Sequence, residues 1–159
     1  MKPRRTVRRQ IADVLKAHAA LDDEQVRERT IAILKEVGFL VPSRILRAYP
    51  HQLSGGQRQR VAIAQALVCR PGIVVADEPL SSLDAATQQD IVDLLQKLKS
   101  KRNLAIVFIT HNAGVLWPLA DLMVILRDGQ VLTSGTPQEL RNNPDRYIQG
   151  ILIPREKRK

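Results

Sequence analysis

Apolar residues recur with helical spacing at the start of the chain and gather into short unbroken runs further on. Val7, Ile11, Val14, Leu15 and Leu21, with His18 among them, follow a period of about 3.6 residues and predict a first helix. Asp22 or Asp23 is suited to cap a second helix carrying Val26, Ile31, Leu34 and Val37, and Gly38 suits its C-terminal end. Pro42 and Pro50 punctuate the connection to "HQLSGGQRQRVAIAQAL" at 51–67, where a further helix is expected. Beyond it the pattern changes. Ile73, Val74, Val75 and Ala76 form an apolar, β-branched run of the kind found in a buried parallel strand. A helical face of Ile91, Leu94, Leu95 and Leu98 follows, then a second buried strand over 104–109. The pair reads as a βαβ unit with a right-handed crossover. A third apolar run, 122–126, leads through Arg127-Asp128-Gly129-Gln130, a hairpin turn, into Val131-Leu132. Thr136, Pro137 and Glu139 then make a helix start with a capping box.

Composition narrows the class. The chain has 159 residues, 44% of them apolar, which suits one domain with a core. No apolar run reaches the roughly 20 residues that span a bilayer, and Met1 is not followed by a signal-peptide pattern. Cys69 is the sole cysteine, so an internal disulfide and a cysteine-based zinc site are excluded. It falls in the expected helix after the glycines, where burial as a small apolar residue is the usual reading.

The net charge of +9 invites a nucleic-acid partner, but its distribution argues otherwise. Lys2, Arg4, Arg5, Arg8 and Arg9 carry +5, and the last five residues, 155–159, carry +3, so the body nets +1. Basic ends on a neutral body read first as solvated tails, then as segments resting near anionic lipid or another protein, and least as nucleic-acid contacts. Aromatics at 3% leave little for stacking single-stranded bases.

The chemistry concentrates in four places. Ser54-Gly55-Gly56-Gln57 has capping-box spacing, and glycines at a helix start let an anion approach the backbone amides at the positive end of the dipole. An ordinary capped helix is the plain alternative. Asp77-Glu78 ends the first expected strand, where open α/β sheets bind ligands. There Asp77 suits Mg²⁺ and Glu78 suits orientation or deprotonation of water, against the alternative of a solvated pair. Thr110-His111-Asn112 ends the second strand, on the edge where Glu78 emerges, and His111 there suits a hydrogen bond to a phosphate. Ser81-Ser82-Leu83-Asp84 lies between, with Asp84 a good N-cap for the next helix.

Taken in order, "LSGGQRQRVAIAQAL", "IVVADEP", "SSLD" and "FITH" resemble the ATP-binding cassette (ABC) ATPases, with matching spacing over nearly the whole chain. "KPRRTVRRQIADVL" and "NNPDRY" are similar to segments of the peptide and nickel importer subgroup. The resemblance implies an α/β fold, a P-loop NTPase-like ABC cassette in part: a helical subdomain plus the C-terminal part of the parallel-sheet core. It implies a helical subdomain at 1–50, the signature helix and βαβ core at 51–135, and a C-terminal helix and basic tail at 136–159. Leu53, Ser54, Gly55, Gly56 and Gln57 resemble the signature motif, which contacts the γ-phosphate of ATP bound mainly by a partner subunit. Asp77 resembles the Walker B aspartate for Mg²⁺, Glu78 the catalytic glutamate, Asp84 part of the D-loop at the dimer interface, and His111 the switch histidine. Asn112 stands where the family usually has aspartate, and Ser82 where a small apolar residue is common.

One element of the family pattern is absent from the sequence. Gly-x-x-x-x-Gly-Lys-[Ser/Thr] occurs nowhere in it, and Gly38 is the sole glycine before the signature. The glutamine loop and the aromatic that stacks on adenine are likewise missing. The resemblance therefore implies the second half of a cassette domain, from a truncated, split or frameshifted gene or completed by a separately encoded N-terminal half. The expected function is the C-terminal half of an ABC importer ATPase for peptides or nickel, using ATP and Mg²⁺ at the cytoplasmic face of the inner membrane. Its expected partners are a second ATPase subunit and transmembrane permeases. A non-catalytic remnant or module offering its signature to a partner cassette is the alternative. A soluble cassette protein acting on nucleic acid or ribosomes is weaker, and no nucleic acid is expected. Without the phosphate loop the isolated chain is expected to be inactive on ATP.

Overall fold

A computed structural model describes residues 1–152; the basic stretch at 155–159 lies outside the described residues. The chain divides into two compact units, Met1–Phe108 and Ile109–Lys159.

The first unit opens with α1 (Val7–His18), α2 (Asp23–Glu36) and the short α3 (Pro42–Leu46), followed by α4 (Gly55–Leu67). Local signals set these ends. Thr6 caps α1, and Asp22 closes a capping box with Gln25 at the start of α2. Gly38 follows α2 with φ +95, a conformation that suits glycine, and a Cβ there would stand 2.6 Å from the Arg60 guanidinium. The buried faces agree with the helical spacing: Val7, Ile11, Leu15, Val26, Leu34 and Val37 are enclosed, together with Val61, Ala64 and Leu67 of α4. His18, expected among them, is instead exposed at the last turn of α1, with Nδ1 2.9 Å from the Val14 carbonyl.

β1 (Ile73–Asp77), α5 (Ala85–Arg102) and β2 (Ala105–Ile109) follow. β1 and β2 are parallel neighbours, joined by α5 as such a pair requires. Asn103 ends α5 in the left-handed region, which asparagine tolerates. The strands depart from expectation in burial. Both were expected to be buried, yet Ile73, Val75, Val107 and Ile109 are 50–66% exposed while their alternate neighbours are half-buried. That alternation belongs to a sheet covered on one side only; continuous apolar strands become buried when layers flank both faces. Cys69 is a second correction. α4 stops at Leu67, so the thiol falls in the turn beyond it and is exposed.

The second unit holds α6 (Ala113–Leu116), a 3₁₀ turn at Trp117–Leu119, the hairpin β3 (Met123–Arg127) and β4 (Gln130–Gly135), then α7 (Pro137–Arg141) and α8 (Arg146–Leu152). Asp128 and Gly129 both have positive φ, as a two-residue hairpin turn of the favoured hand requires. The register jumps from Ile125↔Thr133 to Leu126↔Val131, leaving Leu132 as a bulge. Thr136 forms the expected capping box with Glu139. Ala113, Ile125, Leu140, Ile148 and Leu152 make this unit's core.

Candidate functional site

The signature segment is built by reciprocal capping. Leu53 is buried. Ser54 is extended, and its hydroxyl accepts a hydrogen bond from the Gln57 amide at 3.2 Å. The Ser54 amide donates to Gln57 Oε1 at 3.1 Å. This takes up the Gln57 amide at the positive end of the α4 dipole, while the amides of Gly55 and Gly56 belong to the helix's first turn, which has no intrahelical acceptor. Arg58 Nη1 donates to the Leu53 carbonyl at 2.7 Å and fixes the chain's entry into the helix.

The first turn of α4 lies against the segment leading into α5. A Cβ on Gly55 would stand 3.2 Å from Leu83 Cδ2, and one on Gly56 would stand 2.7 Å from Thr87 Cγ2. Asp84 caps α5: the Thr87 amide donates to Oδ1 at 2.9 Å and the Thr87 hydroxyl to Oδ2 at 2.7 Å. Those two bonds, the amide's first, hold the exposed Asp84 carboxyl below its ordinary value. Gln88 Nε2 donates to the carbonyls of Leu80 and Leu83 at 3.0 and 3.1 Å, tying the loop onto the helix it precedes.

Asp77 ends β1 with its side chain exposed. Glu78 follows with φ +45, left-handed backbone at a residue with a Cβ and directly before Pro79. Such a conformation costs about 1–2 kcal/mol and persists where its surroundings enforce it, commonly at functional positions. Here the Ser81 hydroxyl donates to the Glu78 carbonyl at 3.1 Å, and the Ser81 amide approaches it at 3.4 Å. The strand exit and the 81–84 loop are thereby one hydrogen-bonded turn.

His111 belongs to the second unit, where it is exposed. The Asn112 amide donates to Thr110 Oγ1 at 3.1 Å and shapes the turn that carries the histidine. The structure thus brings Leu53, Ser54, Gly55, Gly56 and Gln57 together with Leu83, Asp84 and Thr87, and links Glu78 to the same loop through Ser81. Arg58, Thr87 and Gln88 were not singled out from the sequence. The N-cap spacing Asp84-x-x-Thr87 was the available signal for Thr87.

Residues 1–81 match the family described as "ABC transporter". The chain belongs to the ABC transporter family. Its curated relatives include a protein of Agrobacterium fabrum named peptidoglycan transport ATP-binding protein YejF. That protein is 38% identical over 156 residues, 98% of this chain and 29% of the relative. The oligopeptide transport ATP-binding protein AppD of Bacillus subtilis is 39% identical over 153 residues, 96% of this chain and 47% of the relative. Among solved structures, the dimeric bacterial ABC transporter cassette MJ0796 superposes with a TM-score of 0.70 at 34% identity, over 85% of this chain and 58% of that one. CbiO1 of Clostridium perfringens, part of the complex cbiONQ, gives 0.74 at 27% identity, over 85% and 52%. The fold is therefore part of an ABC cassette. The chain spans less than half of these curated relatives and just over half of the solved cassettes.

The residues of this ABC chain fit part of a Mg²⁺-nucleotide site. No group of three or more His, Cys, Asp or Glu side chains that would hold a metal exists among the described residues. Asp77 is exposed at the end of β1, and a single carboxylate there is of the oxygen-ligand type that Mg²⁺ accepts when waters and phosphates complete its shell. The main phosphate donors of a P-loop are not in this sequence.

Acid sensitivity follows from the same capping geometry. Asp84 is held low by Thr87, Glu139 by the Thr136 amide and hydroxyl, and Glu36 by hydrogen bonds from Arg102 against the opposing effect of its partial burial. A lowered carboxyl contributes stability that is complete above its unfolded value of about 4 and is lost as pH falls through the folded value. Melting temperature is therefore expected to be flat from about pH 7 to 5 and to fall below about pH 4. In melts across that range Glu36→Gln should be less stable at neutral pH yet lose less on acidification.

Proposed function

We propose that this chain is the signature-bearing part of the ATP-binding subunit of an ABC importer of peptides, with its phosphate loop contributed by a P-loop-bearing N-terminal half. The observation that carries this reading is the capped, glycine-bearing first turn of α4 seated on the Asp84-capped start of α5. The peptide assignment rests on relatives named for peptide and oligopeptide transport. The exposed apolar face of β1 and β2 is consistent with a cassette whose remaining layer lies elsewhere.

On this reading the division of labour runs along the chain. Residues 1–50 are the helical subdomain that meets the permease, 51–135 hold the nucleotide chemistry, and 136–159 are the C-terminal segment, of which 153–159 lie outside the described residues. Ser54, with the amides of Gly55 and Gly56, holds the γ-phosphate of a nucleotide bound mainly by a second ATPase subunit. Leu53 and Gln57 fix that turn. Asp77 holds Mg²⁺, which when bound neutralises charge on the phosphates. Glu78 orients water and accepts its proton, and its strained backbone limits where the carboxylate can go. His111 donates a hydrogen bond to a γ-phosphate, and Asp84 stands at the contact between ATPase subunits. The assembly works at the cytoplasmic face of the inner membrane as a peripheral subunit. No helix among the described residues is long and apolar enough to cross a membrane.

The reading makes a direct prediction for these 159 residues on their own. With ATP and Mg²⁺ the purified chain should turn over no more nucleotide than its Glu78→Gln variant. Turnover by the chain alone that Glu78→Gln abolishes would refute the requirement for a phosphate loop from elsewhere.

A further inference from the structure

We propose that Thr87 is a positioning residue for the signature turn: its Cγ2 methyl sets how closely α4 seats on α5, and Gly56 is glycine because of that methyl. The glycine pair was read from the sequence as a way to let a phosphate reach the backbone. The packing gives a separate reason. A Cβ on Gly56 would lie 2.7 Å from Thr87 Cγ2, closer than carbon atoms approach. Thr87 cannot swing the methyl aside freely. Its hydroxyl, on the same Cβ, donates to Asp84 Oδ2 at 2.7 Å while its amide donates to Oδ1 at 2.9 Å. Rotating χ1 would break the hydroxyl bond, so any displacement of the methyl is passed to Asp84. Gly55 differs. Its Cβ would meet Leu83 Cδ2 at 3.2 Å, the far end of a longer side chain that yields with a small rotation. The two glycines are therefore not equivalent, and Gly56, Thr87 and Asp84 form a continuous line from the signature to the loop before α5.

The packing claim stands without any nucleotide. Its weight for catalysis rests on the reading of Ser54, Gly55 and Gly56 as phosphate-facing, so the experiment is done on the free 159-residue chain. Three substitutions separate the effects. Thr87→Ser keeps the hydroxyl and deletes the methyl, Thr87→Val keeps the methyl position and deletes the hydroxyl, and Gly56→Ala adds the offending Cβ. Hydrogen exchange at the Thr87 amide and the titration of the Asp84 carboxyl, followed by NMR, are the readouts. In Gly56→Ala the Thr87 amide should exchange about tenfold faster or more, and Asp84 should titrate nearer an ordinary carboxyl. Gly56→Ala/Thr87→Ser should restore both, with exchange within about twofold of the parent. Gly56→Ala/Thr87→Val should not, and Gly55→Ala should be the milder single change. Alanine is the better helix former, so once the methyl is gone it should raise the melting temperature, whereas Gly56→Ala alone should lower it. An Asp84 and Thr87 indifferent to Gly56→Ala would overturn the proposal, as would a Ser double variant no better than the Val one. If Gly56→Ala alone does not fold, folding of its Thr87→Ser double is the rescue, and a double that also fails to fold counts against the proposal.

Discussion

Arg102→Ala is expected to destabilise the first unit by about 3 kcal/mol, read from urea unfolding at neutral pH. Arg102 closes α5, and its guanidinium meets Glu36 of α2 through both arms: Nε to Oε1 at 2.8 Å and Nη2 to Oε2 at 2.5 Å. The third nitrogen, Nη1, donates to the Leu67 carbonyl at the end of α4, 2.9 Å away. One side chain thus ties together the ends of three helices. The Glu36 and Arg102 side chains are only 17% and 20% exposed, so solvent replaces the lost partners poorly. Truncation leaves a half-buried carboxylate without its main donor, while the Leu67 carbonyl loses one of two and keeps the Arg70 amide at 2.9 Å. Lys101 lies 3.7 Å from Glu36 but is 70% exposed, which limits what it can recover. Arg102→Lys should restore less than half of the loss, because an ammonium cannot reproduce the fork or reach all three acceptors together. Glu36→Gln should cost less than Arg102→Ala, since an amide oxygen still accepts from the guanidinium. A loss below about 0.5 kcal/mol for Arg102→Ala would place the pair among ordinary surface bridges and remove its role as a clasp.

How much of this was legible beforehand depended on how local each cause is. The caps at Asp22, Ser54 and Thr136 and the turn at Asp128-Gly129 were readable because a helix end or a two-residue turn is decided by residues within four positions of it. Burial of β1 and β2 was not. Ile73-Val74-Val75-Ala76 is apolar at every position, and that composition reports a strand suited to cover on both sides, not whether both layers are present. Cys69 was misjudged by helix length alone, since stopping α4 at Leu67 turns the next residues outward. The site residues were legible as types in order. Their coupling was not, because the approach of Gly56 to Thr87 and the bond of Ser81 to the Glu78 carbonyl arise only when α4, β1 and α5 are packed. The left-handed backbone at Glu78 was invisible for a related reason: nothing in Asp-Glu-Pro calls for positive φ, and the surrounding turn imposes it.

The second large effect concerns function. If the chain offers its signature to a nucleotide held by another subunit, it should rescue a cassette that cannot complete its own site. The test uses an intact ATPase of an oligopeptide importer whose own signature serine is replaced by arginine, leaving its phosphate loop and acidic residues in place. Alone, that partner should hydrolyse little ATP. Removing one preorganised donor to developing charge typically lowers turnover by about 100-fold to 1,000-fold, and supplying it in trans should recover a good part of that loss. Adding this chain should therefore raise Mg²⁺-dependent turnover by about tenfold or more, saturating with chain concentration. Ser54→Arg should abolish the gain, because its side chain fills the space in front of the Gly55 and Gly56 amides. The measurement that bears most directly on the whole account is this turnover, taken with parent chain and with Ser54→Arg side by side: a gain with the first and none with the second is the predicted result, and no gain, or an equal gain from both, would contradict it.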